Sequence, residues 1–457
     1  MADADWERGD LLGHEFPVHV DALRAAGPTF LTRVFRATES MGASNSVTAI
    51  TKLEPFSGGS TGRKAALSVT YERSDRELPE QLFVKFSRDL DDEIRDRGKR
   101  QMGSEVRFGL LSRIPDFPVA VPRCMFGDYH LESGSGLLIS ERIAFGTNGI
   151  ESHYPKARDY EIKDLRAHYD TLVSALARLA GTHRAGRFPE EVMAHFVSGP
   201  AKVVARSRRS YTANQIRDRV TRYADFAARF PQLLPASIRS DAFITQLQKE
   251  APRAVENADA LRAAMRDGAR DLFAFCHWNA NIDNAWYWRD ENGHLACGLM
   301  DWGNVGQMNM VTAISSCLVF TEPDFLLENL DHFFALFSMV FEEVGGGPLD
   351  PAALKLQFVL QMVAGGLQWP LDIVPLIERH IPDLATVADR FDPRIKDDEF
   401  ARTQLHLLTA YLMLWQWSDP RGLIDWATRR AERAPSSYRT SASAARNGLI
   451  NGSSGLD

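Results

Sequence analysis

The chain has 457 residues, about three times a typical domain of roughly 150, which leaves room for one large domain or two to three smaller ones. Its 53 lysines and arginines stand against 60 aspartates and glutamates, a net charge of −7, and that balance excludes the strongly basic surface of a general nucleic-acid binder. With 44% hydrophobic and 25% charged residues, the composition is that of a globular chain and excludes global disorder.

The first residues are acidic and polar, unlike the basic start and apolar core of a secretory leader. Within residues 1–46, Leu23, Phe30, Leu31 and Phe35 recur at helical spacing, so the spacing predicts an N-terminal helical extension of short amphipathic helices. The period changes at Val47. Leu67, Val69 and Tyr71 alternate with polar or small residues, and so do Leu82, Val84 and Phe86; both runs predict half-buried strands. The charged stretch between them, 72–80, predicts a hairpin loop. A charge-dense segment, 88–100, precedes a helix carrying Val106, Leu110, Leu111 and Ile114, and Leu137 to Ile139 predicts a short strand.

Beyond Gly146 the pattern is mostly helical. Leu165, Tyr169, Leu172, Leu176 and Leu179 recur every three or four residues, and segments 333–340 and 354–363 behave alike. The segment 407–417 is apolar nearly all round, which suits a buried helix and is too short to cross a bilayer, which takes about 20 residues. The exception is 273–303, which predicts a loop and two small strands, with Asn292 and Gly293 as a two-residue hairpin turn. The tail 435–457 is rich in Ser, Ala, Asn and Gly and predicts disorder. The expected fold class is α+β in two lobes: a small antiparallel-sheet lobe over 47–143 and a larger, mainly helical lobe over 144–434. The four cysteines, Cys124, Cys276, Cys297 and Cys317, lack the paired spacing of a metal site, and so few argue for a reducing compartment. The expectation is a soluble cytoplasmic protein with neither a membrane nor a nucleic-acid partner.

Four features carry chemistry. The stretch from His277 through Trp278 and Asn279 to Asp283 and Asn284 is followed by Asp301, Trp302 and Gly303. Asn284 offers a neutral carbonyl oxygen and Asp301 an anionic one; such hard ligands, with phosphate oxygens and water, suit Mg2+. The plain alternative is a polar loop with capping asparagines and a buried histidine. Nearer the N-terminus, Ser57, Gly58, Gly59, Ser60, Thr61 and Gly62 lie between two strands, where glycines let backbone N–H groups approach phosphate or simply make a turn. The Gly-Lys-Ser/Thr ending of a P-loop is missing. Lys85 sits inside an apolar strand, and an ammonium on a half-buried face needs a partner. Glu105 in the next helix and phosphate groups are the candidates; a snorkelling surface lysine and a capping glutamate are the bland version.

In this order and spacing the sequence resembles the aminoglycoside phosphotransferase and choline kinase superfamily, with its protein-kinase-like fold. The resemblance spans residues 47–420 in architecture, with specific motifs only at 57–64, 85, 105, 277–284 and 301–303. It implies ATP and Mg2+ as cofactors and phosphoryl transfer to a small-molecule hydroxyl or amine acceptor. By that resemblance Lys85 holds the α- and β-phosphates and pairs with Glu105, while Gly58 to Gly62 cover the triphosphate. Ser140, Glu141 and Ile143 form the hinge that receives adenine. Asn284 and Asp301 hold the metal, and His277 braces the catalytic loop. The family has Asp where this chain has Asn279. A carboxamide orients a hydroxyl but cannot take its proton, and losing a general base typically costs about 10²- to 10⁴-fold. Asp283 is the nearest carboxylate that could substitute. The competing expectations are an impaired pseudoenzyme that binds nucleotide and regulates a partner, and transfer of a nucleotidyl group.

The segment 202–229 carries one Lys and seven Arg against two Asp. It suits an anionic acceptor rather than a polycationic drug, or else is a solvated helical face. Trp278, Trp286, Trp288 and Trp302 surround the candidate loop, either walling an acceptor pocket or packing as core, with Trp278 the one expected to be exposed.

Overall fold

A computed structural model describes residues 5–56, 62–75, 77–196, 211–269, 271–303, 305–365 and 367–433. The stretch 57–61 of the glycine loop, the basic residues 202–210 and the tail from 434 lie outside the described residues. The described chain divides into two units, one drawn from Met1–Ala205, Phe273–Leu318 and Leu330–Pro351, the other from Arg206–Leu272, Val319–Asn329 and Ala352–Asp457.

The first unit is α+β. The alternating runs form a five-stranded sheet in the order Val47–Phe56, Arg63–Tyr71, Gln81–Phe86, Gly136–Glu141, Cys124–Tyr129. Every neighbouring pair in it is antiparallel. Because side chains alternate across a strand, Leu82, Val84 and Phe86 all enter one buried cluster with Phe30, Leu31 and Phe35 of the N-terminal helix. Lys85 therefore points to the opposite face. There Leu138, its cross-strand partner, packs with Met102 and Val106 of the Met102–Leu111 helix.

The N-terminal segment opens with an element beyond the expected short helices: Trp6–Arg8 and Glu15–Pro17 make a two-stranded hairpin. Two short helical stretches follow within Val20–Ala37, separated by the non-helical Gly27 (φ +66°) before Pro28. The hairpin is tied down by Asp128. Its fully buried carboxylate accepts from the backbone N–H of Leu11, Leu12, His14 and Tyr129. A lone acidic residue in a strand gives no local sign of that role.

The rest of the first unit is built around Leu165–Arg184, with Tyr169, Leu172, Leu176 and Leu179 buried as the spacing predicts. Two antiparallel hairpins lie in the 273–309 region: Phe273–Cys276 with Gly306–Asn309, and Ala285–Arg289 with Leu295–Leu299. The predicted two-residue turn is longer than expected. Five residues, 290–294, join the second pair, and Asp290 Oδ1 accepts from the N–H of both Asn292 and His294. That Asx-type loop leaves only Gly293 at positive φ (+80°), where a type I′ turn would need two such residues.

The second unit is helical in its described residues. Ala213–Arg229, Asp241–Glu256, Ala258–Gly268, Pro351–Gly365, Glu399–Trp417 and Pro420–Arg433 share one apolar cluster containing Tyr223, Leu247, Leu360, Leu408 and Trp415. The basic run resolves, where described, into an amphipathic helix with a Thr212–Gln215 capping box. Its charges meet carboxylates: Arg219 bonds Asp372 (2.6 Å), Arg217 meets Glu256, and Arg229 meets Asp225 and Glu378. Tyr223 is buried and donates to the Ile238 carbonyl. No helix among the described residues is long and apolar enough to cross a membrane.

Candidate functional site

The topology of the two hairpins assembles the site. The loop 277–284 leaves the first hairpin and enters the second, and 300–305 returns from the second to the first, so the two loops lie side by side. The backbone confirms it: Met300 N–H donates to the Asn284 carbonyl at 2.9 Å, which places Asn284 beside the residue preceding Asp301. Asp301 itself has φ +57°, a left-handed conformation that few non-glycine residues adopt.

Lys85 Nζ donates to Glu105 Oε2 at 2.6 Å and to Asp301 Oδ1 at 3.0 Å. Lys85 and Glu105 are each only 6% exposed, whereas the Asp301 side chain remains 48% exposed. Two carboxylates far apart in sequence thus converge on one ammonium. Burial alone would push that ammonium down, but Glu105 and Asp301 outweigh it and hold it above the ordinary lysine range. The same ammonium keeps the Asp301 carboxyl at about 2, against the opposing effect of burial. Glu105 is pushed up by burial, with Lys85 partly offsetting it.

An aromatic stack links the helix of Glu105 to the loop of Asp301. Phe108 lies three residues after Glu105, on the same helix face. Its ring stacks on Trp302 at 3.8 Å between centroids and 11°. Trp302 is 3% exposed, donates Nε1–H to the Leu299 carbonyl (2.9 Å) and lies 4.4 Å from the His277 ring. Trp286 is also buried, whereas Trp278 is 39% exposed.

His277 is fully buried and uses both ring nitrogens: Nε2 donates to the Met300 carbonyl (2.9 Å) and Nδ1 accepts from Asn279 N–H (3.1 Å). It is a neutral brace, and burial pushes its pKa down. The sign for stability follows. Below about pH 6.5 the unfolded chain protonates this imidazole and the folded chain does not, so stability falls as pH falls. His277→Gln is expected to show a shallower loss of stability between pH 7 and 5 in urea unfolding; an unchanged slope would contradict the neutral-brace assignment.

Asn284 Nδ2 donates to the Asn279 carbonyl (2.8 Å), which turns its Oδ1 away as the acceptor end. An ionised carboxylate and a fixed carboxamide oxygen on adjoining loops fit a hard cation whose other ligands are phosphate and water. Among the described residues no cluster of three or more His, Cys, Asp or Glu could hold a metal unaided. Asn279 Oδ1 accepts from Asn281 Nδ2 (2.7 Å). Asp283 is engaged elsewhere: Oδ2 pairs with Lys156 (3.3 Å), and its backbone carbonyl accepts from His153.

Beside this cluster, Gly62 holds φ +60°, and a Cβ there would lie 2.0 Å from the Phe86 carbonyl oxygen. Arg95 donates to the Gly62 carbonyl (2.7 Å), and Arg63 and Arg95 both bind the buried Asp89. The charge-dense segment after Lys85 therefore clamps the end of the glycine loop. Ser140 and Glu141 lie on the strand Gly136–Glu141, next to the Lys85 strand, with Ser140 opposite Phe83, and Ile143 follows it half-buried.

Sequence reasoning missed Lys64 as a site residue. It is the cross-strand partner of Lys85, so both side chains share a face. Burial, and then Lys85, push its pKa down. Its signal was positional: two residues past the last glycine, on a strand antiparallel to the Lys85 strand.

No protein-family model and no curated protein sequence matches the chain. Its structure is similar to a choline kinase from Cryptosporidium parvum, at 10% identity and a TM-score of 0.38, covering 88% of this chain and 99% of that one. It is similar to a microcompartment-associated aminopropanol kinase at 12% identity and a TM-score of 0.36, covering 82% and 95%. A third likeness is to an aminoglycoside phosphotransferase from Streptomyces rimosus, at 14% identity and a TM-score of 0.30, covering 74% and 98%. The chemistry of the site is therefore the guide to function.

Proposed function

We propose that this chain binds ATP with Mg2+ and transfers the γ-phosphoryl group to a small-molecule acceptor in the cytoplasm. The observation that carries the reading is the buried ammonium of Lys85 held between Glu105 and Asp301. A cation fixed by two carboxylates, one of them half-exposed, is poised to exchange part of that contact for phosphate oxygens. Asn284 and Asp301 would hold Mg2+, which when bound neutralises charge on the phosphates. Gly58, Gly59, Ser60, Thr61 and Gly62 would cover the triphosphate. Ser140, Glu141 and Ile143 would receive adenine. On this reading residues 47–143 supply the nucleotide contacts, and 144–434 supply the catalytic loop and the acceptor site.

Calorimetry with ATP and Mg2+ tests it. Wild type is expected to bind, and Asp301→Ala to bind at least tenfold more weakly, about 1.4 kcal/mol. No binding by wild type would end the proposal.

Asn279 favours a second reading, a nucleotide-binding module without transfer, because a carboxamide stands where a base is needed. Turnover of an acceptor only by Asn279→Asp, never by wild type, would establish that reading instead. Mass spectrometry of products would separate phosphoryl from nucleotidyl transfer.

A further inference from the structure

The polar groups of the loop 277–284 are engaged largely by one another and by their immediate neighbours. Asn279 is neutral, and its Oδ1 already accepts from Asn281 Nδ2 at 2.7 Å. Asn281 is fully buried and keeps that donor on Asn279 although its own Oδ1 is buried without a hydrogen bond. The arrangement leaves Asn279 with its Nδ2 as the free end of the amide, which is a donor and not an acceptor. His277 has both nitrogens committed. Glu105 is buried on Lys85, Asp301 Oδ1 is bonded to the same ammonium, and Asp283 pairs Oδ2 with Lys156 while its Oδ1, which has no hydrogen bond, is buried from solvent. The exposed His153 directs Nε2 to the Asp283 carbonyl at 2.9 Å.

Hydroxyl and amine acceptors must each lose a proton when they are phosphorylated. An oxygen that is already ionised loses none, and a carboxamide N–H is a good partner for it. We infer that the acceptor attacks through an oxyanion, a carboxylate or a phosphate ionised at neutral pH, and that Asn279 Nδ2 orients this oxygen. The inference rests on the phosphotransferase reading above and narrows its acceptor. In the step, the ionised oxygen forms a bond to the γ-phosphorus. The bond from that phosphorus to the β–γ bridging oxygen breaks, and ADP leaves with its electron pair. Charge balances and no proton is released, whereas an alcohol or amine would release one per turnover.

The test uses the full chain with ATP and Mg2+ at about pH 8, where phosphate groups are fully ionised. Nucleotide binding is first measured by calorimetry, so failure of the underlying reading shows as no binding. Pools of carboxylates, phosphate monoesters, alcohols and amines are then offered, with ADP and proton release followed together. Hydroxylamine traps an acyl phosphate as a hydroxamate, and phosphorus NMR detects a new phosphoanhydride; the two arms separate carboxylate from phosphate acceptors. The expected result is ADP formation with an anionic pool and no accompanying proton. Asn279→Asp should lower that turnover at least tenfold with nucleotide affinity unchanged, because it places one anion against another. His153→Gln, which keeps a donor to the Asp283 carbonyl, should leave turnover within twofold. ADP formation from an alcohol or amine with one proton per turnover, above all if abolished in His153→Gln, would overturn the inference. Nucleotide binding with no turnover of any anionic pool would overturn it too.

Discussion

Lys85→Met is expected to lower the unfolding free energy by about 3–5 kcal/mol, the usual cost of stranding one member of a buried ion pair. Set against a total stability of roughly 5–15 kcal/mol, that is a large fraction. The cause is specific. Glu105 is 6% exposed and its carboxylate meets Lys85 Nζ at 2.6 Å; without the ammonium it must stay charged in an apolar setting or take a proton. Burial already pushes its pKa up, so protonation is the cheaper escape, and the loss should be smaller at pH 5 than at pH 8. The double variant Lys85→Met, Glu105→Met removes both charges and should recover most of the stability while still failing to bind nucleotide. Urea unfolding of the three proteins, with calorimetry alongside, checks both parts. A single variant as stable as wild type would mean that the two groups are not coupled.

Trp302→Ala should cost about 3–5 kcal/mol, the range for truncating a buried large aromatic. The ring bridges Phe108 at 3.8 Å and His277 at 4.4 Å, so its loss opens a cavity between the helix that carries Glu105 and the loop that carries Asn279. The functional consequence is separate from the stability loss. Glu105 and Asp301 would no longer be held to a common ammonium, and ATP affinity should fall even where the variant remains folded. Trp302→Phe keeps stacking but removes the Nε1–H donor to the Leu299 carbonyl. It should cost about 1–3 kcal/mol, the penalty for an unmade buried hydrogen bond, with nucleotide binding largely retained. Equal loss of affinity in both variants would argue that the indole hydrogen bond, not the stack, positions the loop.

Much of the first unit was legible because its signals are local. Alternation at Leu82, Val84 and Phe86 marks a strand with one apolar face, and a lysine inside that strand signals a charge in need of a partner. The helix at 165–184 followed from its 3.6-residue spacing. The loop at Asn292–Gly293 is longer than the dipeptide implies, because Asp290 closes it by accepting two backbone N–H groups, a side-chain role the dipeptide rule does not see. The N-terminal hairpin was not expected at all. Its strands are three residues each, and their anchor, Asp128, lies more than a hundred residues away.

The chain's own letters determined which groups could do chemistry: a lysine in an apolar strand, a glutamate in the next helix, an asparagine where a base would be expected, and an aspartate before Trp302. The tertiary structure alone decided that they meet, since Lys85 and Asp301 are 216 residues apart and no local pattern reports a contact between a sheet strand and a loop so distant in the chain. It also decided what each group is free to do. Asp283 is held by Lys156, His277 by two backbone groups, and Lys64 stands beside Lys85. Proton affinity and reach are set by burial and by neighbours brought together through packing, and a linear sequence carries neither.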